Sequence, residues 1–563
     1  MQTKRKTLRA HSGPAAAAMA LTAAVATILA AAPAGAFELD TGNPDFSVRW
    51  DNTPRVNLGV RVEKRNDLIG NNQLYDEGTY SFDRGDMVAK RLDWFSELDV
   101  VYKKRFGARV SAQFWYDGAY GSASRANPTF AAISSYAGNR YTDYTRDLYR
   151  GADAEVLDAF VFGRVDLGEV PLRFKLGRHT LYWGESLFVN GNLNSIAYAQ
   201  NPLDLQKGFA TPGAEAKELF RPLNQISAQA SVTDELTLMA QYYLEWDSFR
   251  YPEGGTYLGP VDFAFRGPQR QSLGAPLGFA SNGGNIDPSD RGDWGIGARW
   301  SPQWLDGTLG FYYRNYSDKL PQSLLTRVGA GTSQYNLIYG DDIDLFGISL
   351  AKNVGGLSLG AELSYRRNTP LNAVVLGNAA PAGVLPGGQT AGPRGDTVHG
   401  LVNVLGVLPK TALFDAATWA AELTWAHLAS VKSGSNLFMG EGYTPCVGRS
   451  KWDGCSTRNY LGVSAAFTPT WYQVMPGVDL SMPIAFYRGL SGNAPTVFGG
   501  NQKNGNYSIG LSADVYQKYR IELKYIDYFG HTSDNGRAVT GQNGFTSLLK
   551  DRGFINLTFK TTF

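Results

Sequence analysis

The sequence predicts an all-β protein, a transmembrane antiparallel β-barrel of about eighteen strands with long outer loops and a lumenal plug; sixteen strands is the alternative. Three observations carry this. Apolar and polar side chains alternate over runs of about ten residues, the apolar parity of those runs carries no Asp, Glu, Lys or Arg, and short connections alternate with long ones. About ten residues span a bilayer at about 45° of tilt, whereas strands of soluble sheets average about 5 to 6. A charge facing lipid near the midplane costs on the order of 2 to 4 kcal/mol, and a lumen tolerates it.

The first 36 residues stand apart. Lys4, Arg5, Lys6 and Arg9 precede an apolar stretch from Ala15 to Ala32, and Ala34-Gly35-Ala36 offers a small-residue exit. Residues 1–36 read as a Sec-type signal peptide cleaved after Ala36, a membrane anchor being the other reading, and residues 37–563 as a single barrel domain. No other segment approaches the roughly 18 to 20 continuous apolar residues of a membrane helix. Four of the 53 Lys plus Arg and none of the 51 Asp plus Glu lie in the signal, so the remainder has a net charge of −2. That balance points to neither nucleic acid nor an anionic membrane surface. The whole sequence has 65 Gly, 12 Trp, 30 Tyr, 29 Phe and only two Cys, for an exported chain the composition of a barrel in the outer membrane of a Gram-negative bacterium.

VNLGVRVE, Val56 to Glu63, opens the strand series. Ile226 to Val232 and Leu236 to Trp246 form a hairpin around Thr233-Asp234-Glu235, and Leu357 to Tyr365 keeps the same alternation. Tyr507 to Val515 turns near Gln517 into Tyr519 to Tyr525. Weaker alternation at Asp344 to Ala351 and Val398 to Leu405 separates eighteen strands from sixteen. In the last strand Ile555, Leu557, Phe559, Thr561 and Phe563 face lipid, and Asn556, Thr558, Lys560 and Thr562 face the lumen. Tight turns are expected near Lys104 to Gly107, Gly168 to Pro171, Pro302 to Gly307, Asn353 to Gly356, Pro409 to Asp415, Thr468 to Gly477 and Tyr516 to Lys518. Long outer connections are expected over Asp117 to Ala154, Thr180 to Pro222, Asp247 to Gly292, Arg367 to Asp396, Ala429 to Arg458 and Gly530 to Lys550.

Cys446 and Cys455, with eight residues between them, can close a local disulfide in an oxidising compartment; a metal site is poorly served, because no His lies nearby. No cofactor is implied. The segment Thr180 to Pro222 is too long for a passive link and reads as the plug, beginning with Trp183 and Glu185 of WGES. Arg173, Lys175 and His179 share the wet parity of the preceding strand, with Glu185 and Glu215 close in sequence. They read as a network tying plug to wall, direct substrate contact being the alternative. Inward charges of both signs, among them Asp93, Arg314, Glu362, Arg366 and Glu422, argue against a strongly ion-selective pore and suit cross-barrel ion pairs.

Trp115, Phe160, Phe162, Tyr243, Tyr312 and Tyr316 share the inward parity and suit an apolar path, unless a β-bulge turns Phe160 and Phe162 to lipid. Trp246, Trp294, Trp300 and Trp425 read as interfacial girdle. Of the four histidines beyond the signal, His179, near Ser186, is the one candidate base, and no nucleophile motif surrounds the pair, so the chain does not read as an enzyme.

LGR (Leu176–Arg178), WGES (Trp183–Ser186), NPLDL (Asn201–Leu205), PGAEAKE (Pro212–Glu218), RPLNQ (Arg221–Gln225) and YYLEW (Tyr242–Trp246) resemble the domain-of-unknown-function 1302 family of Gram-negative outer-membrane proteins. FDRGD at Phe82 to Asp86 and GAELSYRRNTPL at Gly360 to Leu371 extend the resemblance. It implies uptake or envelope transfer of hydrophobic small molecules such as sterols, alkanes, aromatics and lipids, beside a periplasmic lipid-carrier-like protein and an efflux-type transporter. A non-transporting, partner-binding scaffold is the alternative. Where the family commonly carries a cysteine before Gly-Thr-Tyr, this chain has Gly254, so that extra cross-link is missing. The ending, with Phe559 and the terminal Phe563, also resembles the signal by which the barrel-assembly machinery recognises its clients. Mass spectrometry of the membrane-extracted protein is expected to show an N-terminus at Phe37; a mature chain still starting at Met1 would refute the cleavage.

Overall fold

The computed structural model describes residues 37–379 and 392–563, so the signal reading, with its cleavage at Ala36, lies outside the described residues. The period-two alternation becomes a closed antiparallel barrel of eighteen strands, numbered here for the barrel alone. They are β1 Phe46–Arg61, β2 Met87–Tyr102, β3 Phe106–Asp117, β4 Gly151–Leu167, β5 Val170–His179 and β6 Leu223–Ser231. Then follow β7 Leu236–Tyr243, β8 Trp294–Trp300, β9 Gly307–Tyr316, β10 Ile343–Val354, β11 Leu357–Pro370 and β12 Arg394–Leu408. The circuit ends with β13 Ala416–Ser433, β14 Asn459–Met475, β15 Val478–Ser481 and Ile484–Ser491, β16 Gly505–Val515, β17 Tyr519–Phe529 and β18 Phe554–Thr561. β15 is one strand interrupted at Met482-Pro483, because proline has no N–H for the ladder. The two weakly patterned segments are β10 and β12, which makes the count eighteen.

β1 starts ten residues before the expected Val56, because Arg49, Asp51, Asn52 and Arg55 obscure its alternation. β14 runs to Met475, beyond the turn expected from Thr468, and the turn shrinks to Pro476-Gly477. Closure pairs β18 with β1, from Lys560 opposite Arg55 to Phe554 opposite Arg61. Beyond β18, Phe563 N–H donates to Asn52 O at 2.9 Å and Asn52 N–H to Phe563 O at 2.7 Å. The Phe563 ring meets Trp94 edge-on at 6.0 Å. Ile555, Leu557, Phe346, Ile348 and Leu363 stand exposed on the outer wall, where the neighbouring medium is hydrocarbon, while Asn556 and Thr558 are buried inside.

The outer loops are larger than the alternation indicates, since 62–86, 317–342 and 492–504 are also outer connections. Strand segments from three loops assemble a five-stranded sheet in the order Gly377–Asn378, Gln322–Arg327, Gln334–Ile338, Gly278–Ile286, Arg270–Gly274. Trp246, expected in the girdle, is buried against Tyr339 at 4.9 Å and donates from Nε1 to Asp318 O at 3.2 Å. Its strand has ended at Tyr243, so it belongs to the loops. Trp294 and Trp300 keep the exposure of a girdle.

Deep in the loops, Glu77 accepts from Ser135 N–H at 2.5 Å and Ser135 Oγ at 2.7 Å, and its own N–H donates to Asp262 Oδ2 at 3.1 Å. Burial pushes Asp76 up to about 6 and Glu77 up to about 7, and burial with the charges of Asp76 and Glu77 raises Asp262. The charge of Arg552 opposes the shift of Asp262.

Two outcomes are expected. Deleting Phe563 removes both backbone bonds and the Trp94 contact, and heat-modifiable barrel in membranes should fall several-fold; wild-type yield would contradict the role of this seam. A folded pKa raised above its unfolded value favours the protonated carboxyl, so the stability these carboxyls give the outer loops is complete below about pH 4 and lost as pH rises through about 6 to 7. The protection factor of the Ser135 amide, the intrinsic base-catalysed rate divided by the observed exchange rate, should therefore fall by on the order of tenfold between pH 5 and 8, less steeply in Asp262→Asn. A pH-independent protection factor in the wild type would overturn this.

Candidate functional site

Residues 180–222 leave β5, fold into the lumen and return as β6. Short helical turns at Val189–Asn192, Leu205–Ala210 and Ala216–Leu219 carry part of the segment. Residues 191–207 are buried throughout, as a segment surrounded by a barrel wall must be. One face is apolar, where Leu193, Ile196, Tyr198 and Leu203 pack with Met239, Tyr312, Tyr316 and Leu345 of the wall.

The first half of the plug is held by charges aimed at its backbone. Arg314 donates to Ile196 O at 2.8 Å and Tyr198 O at 2.7 Å, and Arg366 donates to Ser195 O at 2.8 Å and Leu193 O at 3.2 Å. Glu362 accepts from Ser186 N–H at 3.0 Å, Ile196 N–H at 2.7 Å and Glu185 N–H, while Glu422 accepts from Leu187 N–H at 2.7 Å. Cations meet carbonyls and anions meet amides, so a mixed-sign wall matches the polarity of a peptide chain. Such close approach needs glycine. A Cβ on Gly184, whose φ is +101°, would sit 2.4 Å from Glu362 Oε1, and one on Gly191 would sit 1.7 Å from Glu422 Oε1.

The second half is held by ion pairs on the opposite wall. Arg55 grips Glu218 through two bonds of 2.6 and 2.8 Å and donates to Gly213 O at 3.1 Å. Lys207 donates to Glu218 and to Gln113, each at 2.6 Å, and lies 3.7 Å from Asp93, which also pairs with Arg91 at 2.9 Å. Glu215 pairs with Lys560 of β18. All of these except Glu215 and Lys560 are buried, where breaking such a pair by removing one partner costs about 3 to 5 kcal/mol.

Glu185 and Glu215 thus touch the wall, Glu185 also through Ser349 Oγ at 3.1 Å and Asn403 Nδ2 at 2.6 Å. Trp183 is buried on Tyr312 at 5.8 Å, and Tyr243 donates from its hydroxyl to Gln200 O at 2.7 Å. Arg173, Lys175 and His179 do not join this grip. Arg173 is exposed at the turn end of the barrel, opposite Arg164. His179 faces Gly177 O at 3.0 Å with Nδ1 and Ser227 Oγ at 2.8 Å with Nε2, while the Ser186 hydroxyl donates to Phe188 O at 3.2 Å. No hydrogen bond joins His179 to Ser186 among the described residues. The gripping residues were missed as partners because their contacts cross the barrel, which no local pattern reports.

Phe160 and Phe162 face the lumen, and a bulge is the reason. Ala112 lies opposite Val156 and Val110 opposite Ala159, so β4 carries one extra residue at Leu157-Asp158. On the loop side of the bulge odd residues such as Asp153 and Glu155 point in; on the turn side Asp158, Phe160 and Phe162 do. Phe160 lies 5.5 Å from the His179 ring and 6.1 Å from Phe162, with Lys175 Nζ 5.0 Å above its face. At the opposite end the outer loops supply rings that the strand pattern does not mark. Tyr251 stacks on Phe265 at 5.2 Å and on Phe498 at 4.7 Å, and Phe545 stacks on Phe209 of the plug at 5.7 Å. Among the described residues no cluster suits a metal ion, and Cys446 and Cys455 are joined as a disulfide with Cα atoms 6.1 Å apart.

No curated protein matches the chain. Solved structures similar to it include Acinetobacter baumannii OccAB2, at 11% identity over 92% of this chain and 98% of that one, TM-score 0.41. Pseudomonas aeruginosa OccD3 (OpdP) is 11% identical over 94% and 93%, and a BenF-like porin from Pseudomonas fluorescens Pf-5 is 10% identical over 94% and 99%, both with TM-score 0.40. Likeness at that level carries no functional argument. The DUF1302 model, described as a protein of unknown function, matches residues 17–563, and the chain belongs to that family.

Proposed function

We propose that the protein is an outer-membrane channel or transporter that passes hydrophobic small molecules of sterol, lipid, alkane or aromatic type, gated by the 180–222 plug. The observation that carries this reading is the contact of Phe545 with Phe209, by which an aromatic surface built from outer loops rests directly on the plug. An apolar passenger reaching those rings is already in contact with the element that blocks its way. The turn-side Phe160 and Phe162 offer an apolar surface past the plug, with Asp158 and Lys175 beside them. The resemblance adds a periplasmic lipid-carrier-like protein as the receiver and the assembly machinery as the route into the membrane.

The grip on the plug is made of individually modest bonds. A hydrogen bond to a charged group contributes about 1.5 to 3 kcal/mol, so losing one shifts a closed-to-open equilibrium by roughly tenfold or more. Glu362→Gln retains one acceptor and presents an N–H to plug amides, and should raise uptake of a labelled alkane into proteoliposomes by roughly tenfold. Deleting 186–218 should raise it further. Uptake no greater than in empty liposomes, for the wild type and for both variants, would sink the channel reading and leave the partner-binding scaffold.

A further inference from the structure

Two cations stand side by side on the lumen face of β5 without an anion to hold. Arg173 and Lys175 are two residues apart on one strand, so both point inward, about 7 Å from each other along it. Among the described residues Arg173 makes no hydrogen bond or ion pair, and the Lys175 ammonium has only the Phe160 ring, 5.0 Å from its centroid. β4 adds a third cation, because Arg164 lies directly opposite Arg173. Like charges at opposed positions of a ladder repel. The carboxylates nearby are engaged elsewhere. Asp166 pairs with Arg164 at 3.2 Å and also with Arg105, Asp99 pairs with Arg109 at 2.7 Å, and Asp158 accepts from Ser111 Oγ at 3.2 Å. Glu169 stands out in the exposed turn.

Beside the cations the same two-stranded ribbon is aromatic. Phe162 lies opposite Lys175, and Phe160 follows it toward the plug, the two rings 6.1 Å apart. Gly107 of β3 stands opposite Phe162, where a Cβ would come 2.4 Å from the ring, so the ring lies along the wall instead of standing into the lumen. The apolar strip is narrow. On the β3 side it ends at Arg109, opposite Phe160, and on the β6 side at Ser227 and Gln229, opposite Lys175 and Arg173. That width suits one acyl chain, since neighbouring strands are about 5 Å apart. A two-chain lipid would lay its second chain over polar side chains and strip their water.

We propose that this ribbon binds a single-chain amphiphile with an anionic head, a fatty carboxylate or an alkyl phosphate. The head sits among Arg164, Arg173 and Lys175 and separates the opposed guanidiniums, whose planar N–H groups match either oxyanion in pairs. The chain runs over Phe162 and Phe160 toward the plug, so the head is held at the turn-side mouth of the lumen. This deepens the channel reading by giving the passenger a charge, and rests on it for physiology, but binding is scored without flux.

The test is isothermal titration of the full-length protein in phosphatidylcholine nanodiscs, with empty nanodiscs subtracted, using octanoate, octyl phosphate, 1-octanol and octyltrimethylammonium. Saturable binding of octanoate or octyl phosphate is expected, roughly tenfold tighter than octanol, with no saturable binding of the cation. The tighter of the two anions names the head, carboxylate or phosphate. Arg173→Gln should weaken anion binding roughly tenfold and erase the preference over octanol, in protein whose heat-modifiable migration shows a folded barrel. Phe162→Ala should weaken octanoate and octanol alike. Arg299→Gln, which removes a cation three strands away on β8, should leave octanoate binding unchanged. Absent anion binding, equal binding of octyltrimethylammonium, or an Arg173→Gln effect that is missing or matched by Arg299→Gln overturns the proposal. Octanoate binding without liposome flux keeps the site and sinks the channel; flux without anion binding does the reverse.

Discussion

Hydrocarbon supplies no hydrogen-bond partners, so each strand N–H and C=O inside the bilayer must find its partner within the chain. The pairing of β18 with β1 meets that demand, and the other features follow from it. Once the sheet closes, strand number sets the width of the interior. Eight strands can be filled by their own side chains, but eighteen cannot, and an unfilled lumen of that size is an open aqueous pore. The chain fills it by sending residues 180–222 inward, and the loop of Trp246 to Phe265 follows from above. The seam also bears on the plug directly, because Arg55 of β1 and Lys560 of β18 each hold a plug carboxylate.

Filling a barrel with backbone creates a solvation problem, since buried amides and carbonyls need partners as much as strands do. The wall answers mainly with charges, beside neutral donors such as Tyr243 and Asn403. Arg314 and Arg366 cover carbonyls, and Glu362 and Glu422 cover amides, so the lumen carries both signs without cross-barrel ion pairs between those residues. True ion pairs are concentrated on the other side, around Glu218 with Arg55 and Lys207. The two halves of the plug are therefore held by different walls and different chemistry. Extracting the whole plug would strand all of these charges at once, whereas displacing one half leaves the other wall's bonds intact. Partial displacement is the motion that this arrangement favours energetically.

Strands and turns were legible in the sequence because side-chain facing is a local, period-two property. Even β10 and β12, with their weaker alternation, were placed correctly. Legibility failed where polarity ran along a strand, as in Arg49 to Arg55 of β1, and where one inserted residue changed the facing, as at Leu157-Asp158 of β4. The plug was legible from its length, and its grip was not. Glu362 and Ile196, or Arg55 and Glu218, are more than 150 residues apart, and their meeting depends on barrel closure. The outer sheet is invisible for the same reason, because its strands come from separate loops. Glu185 was expected among Arg173, Lys175 and His179, which are its neighbours in sequence, whereas its partners are Ser349 and Asn403 across the lumen.

The bulge in β4 shows how little sequence separates a lumen from a lipid surface. Without its extra residue, odd positions would point inward along the whole strand, placing Val161 in the lumen and Phe160 and Phe162 in the bilayer. With it, Glu155 can pair with Arg221 and Arg250 on the loop side while Phe160 and Phe162 line the lumen on the turn side. Both facings are needed on one strand. The carboxylate anchors the end of the plug where it rejoins the wall, and the rings provide apolar surface beyond the plug's polar grip. A regular strand could supply one of these and would bury the wrong groups on the other side, so the bulge reconciles a rigid plug anchor with an apolar lumen floor.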